Sequence, residues 1–336
     1  MAGILPMKRF RCTVAYVGAA YNGWQSQANG NGVQDIIEEA IFRVAKERIS
    51  VKASGRTDAG VSAKGQVFHF DTEKELTARK WMGAINCFLP KDIRIMSVEE
   101  TDHLFHARYC VKMKQYDYYI NIGPYDVFTR DTAYQCPVQL DIGKMEEASR
   151  YLIGTHDFTS LNSSPLSEYP DQVRTVKDIV FHREGNILRI SYYGKGFLRY
   201  MVRMMTAQLI EAGKGRIQPS DIPEILEQKS RTSFRKNAPA NGLTLVKVDY
   251  FEVLALSKEF MVREILDGDD LSAYPENITH VFTERHSQTV YGYFVPEEAR
   301  LYVGGDHRED AEELSDQLAD WMTKHHPEIT KDIEIR

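Results

Sequence analysis

The chain of 336 residues predicts an α+β fold built on a largely antiparallel sheet. Three observations carry that expectation. Runs of period-2 alternation, at residues 11–16 and 114–120, are interleaved with period-3.6 segments such as 33–46. The first hundred residues read β-α-β-β-α-β, the order of a ferredoxin-like half. The composition, 43% hydrophobic and 27% charged, is that of a globular chain, and no apolar run approaches the length of a membrane span.

The first strand, 11–16, alternates Cys12, Val14 and Tyr16 against Arg11, Thr13 and Ala15. A glycine-bearing loop over 18–23 leads into Trp24 and Gln25. In the helix at 33–46, Ile36, Ile37, Ala40, Ile41, Val44 and Ala45 form the apolar stripe. Asp35 and Glu38 suit its positive N-terminal end. A short strand at 49–52 enters the loop 53–61, and 66–70 leaves it. His69 on that strand is read as a sheet histidine. Thr77 caps a second helix over 77–86, Leu89-Pro90 ends it, and 93–99 is the next strand. Beyond 114–120 come a loop-rich stretch at 124–136 and a helix at 145–152. Strands at 174–181 and 187–193 precede a long helix through Ala207, Leu209 and Ile210. A helix at 219–228 and a strand at 245–250 follow. The last segment, 251–336, reads as strands at 278–283, 289–295 and 300–303. A helix at 310–325 closes it, with the stripe Ala311, Leu314, Leu318, Trp321 and Met322.

The chain is organised around residues 53–61, Ala-Ser-Gly-Arg-Thr-Asp-Ala-Gly-Val. Small residues and two glycines surround one arginine and one aspartate, so the backbone can bring the Asp58 carboxylate into a cleft. Arg56 can hold a phosphate or orient that carboxylate. The plain alternative is a surface turn with a local Arg–Asp pair.

Charge is unevenly spread. Residues 251–336 hold 8 Lys+Arg against 20 Asp+Glu, a formal −12, whereas the first 250 hold 34 against 28, a formal +6. The front portion is compatible with a phosphate-binding face. The four cysteines, Cys12, Cys87, Cys110 and Cys136, are scattered with no Cys-x-x-Cys pair. That spacing indicates free thiols in a reducing compartment, neither a zinc site nor a disulfide framework. The N-terminus lacks the apolar core of a secretory signal, and the expected location is cytoplasmic. His307, His325 and His326, with Asp306, leave metal binding open in the tail, against the plainer reading of a solvated polar surface.

Several separate motifs resemble the tRNA pseudouridine synthase A family over about residues 8–250. They are Gly55-Arg56-Thr57-Asp58-Ala59-Gly60-Val61, Tyr21-Asn22-Gly23-Trp24-Gln25, Asn86 with Leu89-Pro90, and Phe105-His106-Ala107-Arg108. Further matches are Lys114-x-Tyr116-x-Tyr118, the segment 154–161, Arg174-Thr175-Val176, Met201-Val202-Arg203 and Asn241-Gly242-Leu243. The resemblance implies a pseudouridine synthase fold: two ferredoxin-like halves, at 8–110 and 111–250, share one central sheet. The acidic segment 251–336 is a small α/β appendage. It implies that Asp58 is the essential aspartate, that Arg203 pairs with it, and that Tyr118 lies against the target base. Arg56, Trp24, Gln25, His106, Arg108 and Arg199 are the expected RNA contacts. No cofactor and no metal are implied. The implied partner is tRNA, at the anticodon stem-loop, or another structured RNA, bound by a homodimer with no membrane contact. The helical stripe of the tail suits contact with another protein. Three positions depart from the family pattern: Ser62 stands where a histidine is usual, and Arg199 and Tyr200 stand where two histidines are common. Two other functions remain open. One is a synthase acting on ribosomal or another structured RNA; the other is an RNA-binding or RNA-folding protein with weak catalysis.

Overall fold

In the computed structural model of the chain, the described residues are 7–233, 236–257, 259–265, 269, 271–275, 278–285, 289–304, 307–327, 329 and 332–336. They fall into two compact units. One comprises the residues up to Glu100 together with Met113–Asp249, and the other comprises Thr101–Lys112 together with Tyr250–Arg336.

The first unit contains, in order, β1 (Lys8–Tyr16), α1 (Val33–Ala45), β2 (Lys52–Ala53), β3 (Ser62–Thr72), α2 (Ala78–Asn86) and β4 (Ile93–Thr101). It continues with β5 (Val111–Asn121), β6 (Tyr134–Gln135), α3 (Ile142–Arg150), β7 (Gly154–Asp157), β8 (Val173–Glu184) and β9 (Ile187–Gly194). Last come α4 (Met201–Gly213), α5 (Ile222–Glu227) and β10 (Leu243–Tyr250). The ten strands form one mixed sheet in the order β4-β1-β3-β10-β5-β9-β8-β7, with β2 added to β3 and β6 to β5. The expected α+β class is met.

Alternation decides which face of each strand is buried. Phe10, Cys12, Val14 and Tyr16 are buried along one face of β1. The antiparallel register sets Phe10 opposite Phe70 and Cys12 opposite Phe68, which continues that face onto β3. Trp81 of α2 closes over it, its ring 5.2 Å from Phe70 and 6.0 Å from Phe10. From α1 come Val33, Ile37, Ala40 and Ile41, spaced three or four apart. Each large apolar side chain buried this way contributes about 1.5–3 kcal/mol. Thr77 caps α2 by accepting a hydrogen bond from the Lys80 N–H. On the other side of the sheet's midpoint, Tyr116 pairs with Tyr192, Tyr118 with Ile190 and Ile120 with Leu188. There α4 is buried almost all round, as a helix without a polar face must be.

One pairing matters most for the site. β10 runs parallel to β3, with Thr244 opposite Ser62 and Leu245 opposite Ala63. Two loops therefore enter the sheet side by side at the same end: the one before Ser62, which carries Asp58, and the one before Leu243. A methyl on Gly60 would lie 3.1 Å from the Ala240 side chain, which shows how closely they approach.

The second unit holds β11 (Val253–Leu256), β12 (Phe260–Glu264), β13 (His280–Glu284), β14 (Val290–Val295), β15 (Arg300–Val303), α6 (Arg308–Glu312), α7 (Ser315–His325) and β16 (Glu334–Ile335). Its six strands lie in sequence order. Leu254, Val262, Phe282, Phe294 and Leu301 pack with Ala311, Leu314, Leu318 and Met322 of the helical region. A smaller cluster joins Cys110, Phe251 and Met261. The Tyr250 hydroxyl donates to the Ala107 carbonyl at 2.9 Å. Arg263, fully buried, forms a two-pronged ion pair with Asp269 at 2.8 Å.

Two expectations are corrected here. The helix over 310–325 is two helices, parted by a turn at Glu313 and Leu314. Residues 101–110, expected within the catalytic-loop half, group with the C-terminal residues, because Phe105, Ala107 and Cys110 pack on Tyr250 and Phe251. Asp306, one member of the tail's metal option, lies outside the described residues. His307 hydrogen-bonds the Asp310 carboxylate at 3.1 Å, and the His325 ring meets the Trp321 carbonyl at 2.9 Å.

Candidate active site

The loop between β2 and β3 is held on several sides, and that fixes where Asp58 points. The Tyr16 hydroxyl bonds the Thr57 hydroxyl at 2.8 Å. The Trp24 N–H donates to the Thr57 carbonyl at 3.1 Å and the Gly60 N–H to the Tyr21 carbonyl at 3.2 Å. Lys114 reaches across from β5 and donates to the Ser54 carbonyl at 2.8 Å. Gln66 donates to the Gly55 carbonyl at 2.9 Å. Gly23 is required where it stands: its φ is +87°, and a Cβ there would lie 2.5 Å from the Thr57 carbonyl oxygen. The Ser62 hydroxyl accepts from the Gly18 N–H at 3.0 Å, so this departure from the family pattern ties the 18–24 loop to the Asp58 loop.

Asp58 meets Arg203 from the first turn of α4, with Nη1 3.5 Å from Oδ2. Both side chains are mostly buried, 19% and 13% exposed, so little water screens them. Arg203 is anchored elsewhere: its Nε donates to the Ala238 carbonyl at 2.8 Å, and the Ala238 N–H returns a bond to the Arg203 carbonyl at 3.1 Å. The Tyr118 hydroxyl donates to the Pro239 carbonyl at 2.8 Å. The segment 238–242 is thus a shared floor for α4, β5 and the Asp58 loop. Sequence reasoning gave it no such task, since its contribution is mostly backbone carbonyls.

Arg199 and Tyr200 complete the wall. The Tyr200 ring lies 4.9 Å from the Arg199 guanidinium and 5.2 Å from that of Arg203. Tyr200 has a φ of +63° at the N-cap of α4, a left-handed conformation that costs an L-residue with a side chain about 1–2 kcal/mol.

Two opposed influences act on the Asp58 carboxyl. Burial pushes its pKa above the ordinary value, whereas the Arg203 charge and hydrogen bond and the more distant Arg199 charge pull it down; burial prevails. Burial first, then the charges of Tyr16 and Asp58, raise the Tyr116 hydroxyl pKa, so Tyr116 lies within reach of the carboxylate's field.

The structure brings together Asp58, Arg203 and Arg199, with Arg56 exposed on the same loop. Gln25 is exposed on the neighbouring one. Two of the expected site residues are buried. Trp24 is 2% exposed and packs on Tyr16 and Phe68, at ring distances of 6.2 and 6.0 Å, so it offers RNA no stacking face. Tyr118 is fully buried, and a methyl on Gly242 would meet its ring at 2.5 Å. A ring closed in this way supports the floor formed by residues 238–242. Tyr116, two residues earlier on the same face of β5, is also buried, at 7% exposed, and packs edge-on against Phe197. His106 and Arg108 belong to the second unit. There the His106 ring nitrogen accepts from the Arg108 N–H at 3.2 Å, and the Arg108 side chain is exposed.

A mostly buried aspartate facing an anchored arginine, on a loop beside a mixed sheet, defines an α+β protein with a buried carboxylate–guanidinium pair. Comparison with known proteins assigns the family. Residues 13–110 and 148–251 match the model of the tRNA pseudouridine synthase family, and the chain belongs to that family. It is 43% identical over 248 residues to the tRNA pseudouridine synthase A of Oceanobacillus iheyensis, covering 73% of this chain and 98% of that protein. The protein of the same name from Bacillus licheniformis is 42% identical over 245 residues, 72% of this chain and 99% of its own length. That of Bacillus subtilis strain 168 is 40% identical over the same shares. Residues 252–336 fall outside the matched segments of the family model.

Proposed function

We propose that the chain converts uridine to pseudouridine in tRNA, with Asp58 as the reacting carboxylate. The observation that carries this reading is the 3.5 Å Asp58–Arg203 pair at the mouth of two adjoining loops. The reaction breaks the C1′–N1 bond, turns the uracil and joins C1′ to C5, after which C5 loses its proton and N1 gains one. Asp58 acts at the sugar, either by attack at C1′ or by removal of the C2′ proton; both routes need the ionised carboxylate. Arg203 aims that carboxylate and favours its charge. Tyr116, whose hydroxyl pKa the Asp58 charge helps to raise, takes the role of meeting the base, and Tyr118 holds the floor through the Pro239 carbonyl. The exposed Arg56, Arg199 and Gln25 are placed to meet phosphates and the flipped nucleotide.

The order β4-β1-β3-β2 in the first half and β10-β5-β9-β8 in the second supports two ferredoxin-like halves joined through β3 and β10. The anticodon stem-loop is the proposed target, a homodimer the proposed assembly and the cytoplasm the proposed location. The acidic residues 251–336 repel an RNA backbone and are proposed to engage protein. Tritium release from tRNA carrying C5-tritiated uridine tests the reading. Release by the wild type that is lost in Asp58→Asn supports it; equal release by the folded mutant removes Asp58 from the chemistry.

A further inference from the structure

Tyr200 occupies a backbone position suited to glycine or asparagine, yet carries a large ring. That ring lies within cation–π distance of two guanidinium groups, 4.9 Å from Arg199 and 5.2 Å from Arg203. Its hydroxyl also accepts a hydrogen bond from Arg199 Nη2 at 3.3 Å. The backbone around it is pinned. The Arg199 N–H donates to the Ser164 hydroxyl at 3.0 Å, the Ser163 N–H to the Arg199 carbonyl at 2.9 Å, and the Met204 N–H to the Tyr200 carbonyl at 2.9 Å. The ring is therefore delivered to its place by a fixed turn.

Arg203 needs such a restraint. Its Nε is tied to the Ala238 carbonyl, and its Nη1 is 3.5 Å from Asp58. One tied edge leaves the guanidinium free to swing about that bond. A ring against it removes the freedom and keeps Nη1 turned to the carboxylate. Two like charges near each other also repel, and a shared π-system offsets part of that cost. The charged and titratable groups around Asp58 are then Arg203 from α4, Arg199 from the preceding turn, and Tyr116 from β5 with Tyr16 from β1 beyond it.

We propose that Tyr200 is a positioning residue: its ring holds Arg203 aimed at Asp58 and keeps Arg199 beside it, so that both cations act on the reacting carboxylate. This rests on Asp58 being that carboxylate. The test is the pH profile of kcat/KM in the tritium-release reaction for the wild type, Tyr200→Phe, Tyr200→Gly and Asp58→Asn, with folding checked by circular dichroism at each pH. Glycine removes the ring at a left-handed position without backbone strain; phenylalanine keeps the ring and drops the hydroxyl. In the glycine variant the acid limb moves upward by roughly half a unit to one unit, as the carboxylate loses cationic support. In the phenylalanine variant it stays with the wild type. Adding Tyr200→Gly to Arg203→Leu lowers the rate less than Tyr200→Gly does alone, because the share of the ring's effect that runs through Arg203 is already lost and only the share through Arg199 remains. A folded glycine variant with the wild-type limb overturns the proposal, as does a phenylalanine variant that shifts equally. If glycine prevents folding, Tyr200→Asn, which also tolerates the left-handed region, takes its place in both comparisons. Isomerisation by Asp58→Asn defeats the underlying assignment instead, and is read separately.

Discussion

At the scale of the residue, Asp58 sits in surroundings that work against its own charge. Its folded pKa lies above the ordinary value because burial outweighs Arg203. A group raised in this way favours folding below its unfolded pKa, and that contribution is lost as pH rises through the folded pKa. At neutral pH the ionised carboxylate is therefore a cost. Asp58→Asn should abolish isomerisation yet leave the thermal midpoint at pH 7 unchanged or slightly higher; a midpoint lowered by several degrees would mean that the ion pair stabilises the fold. Activity should run the opposite way with pH. With Asp58 as the proposed reacting carboxylate, the ionised form is the active one, so kcat/KM should fall as pH drops through a value above the ordinary ~3.9 of aspartate.

The two tyrosines of β5 separate by the same reasoning. Tyr118→Phe leaves the Pro239 carbonyl without its donor and should cost about 1 kcal/mol of stability with a modest loss of rate. Tyr116→Phe should lower kcat more and the thermal midpoint less. Paired unfolding and rate measurements with the reverse ranking would return the base to Tyr118. Period-2 alternation could place both rings on one face, but not say which ring is sealed. That depends on Gly242, over a hundred residues away, approaching Tyr118 closely. Trp24 misled for a similar reason. A tryptophan after a glycine loop packs more often than it binds, the family resemblance set this one near the RNA, and the packing against Phe68 decides for the core.

At the scale of the element, local periodicity predicted most of the strands and helices that frame the site, because alternation and helical stripes are written within each segment. What it lacked was the parallel β3–β10 step, which sets the Asp58 loop beside residues 238–242. That neighbourhood is created by long-range pairing. The tethers of the loop give one prediction. Gly23→Ala places a methyl against the Thr57 carbonyl at a position with φ of +87°. It should cost both stability and rate, by roughly 1–3 kcal/mol of folding free energy, while a wild-type denaturation midpoint would show that the loops part easily. β3 supplies another through His69, read from the sequence as a sheet histidine and buried accordingly. Burial, aided by the charges of Arg9 and Lys52 and opposed by Asp71, lowers its pKa to about 4. The unfolded chain binds a proton near pH 6.5 and the folded one only near 4. Stability should therefore fall as pH drops through that window, by up to roughly 3 kcal/mol. His69→Gln should flatten that decline in chemical denaturation, and an unaltered slope would assign it to other groups.

At the scale of the whole molecule, the charge division along the chain was legible by counting, but the boundary between units was not. A cut after Tyr250 looks natural from the sequence, since the family resemblance ends there. The structure gives residues 101–112 partners beyond that point. The Phe251 N–H donates to the Cys110 carbonyl at 3.1 Å, and Cys110 packs with Phe251 and Met261. A chain ending at Tyr250 keeps the residues of the Asp58 site but strips the cover from Cys110, which is 1% exposed in the full chain. Thiol labelling reads this directly once the exposed Cys87 is replaced by serine to remove its background. Cys110 should react slowly in the full chain and at least tenfold faster in the shortened one, with a lowered thermal midpoint and some isomerisation retained. The opening involves one segment, and the cost of uncovering Phe251's partners is only a few kcal/mol. Equal labelling rates and equal midpoints would mean that residues 101–112 find another cover, and that the C-terminal residues are dispensable for the fold of the segment they enclose.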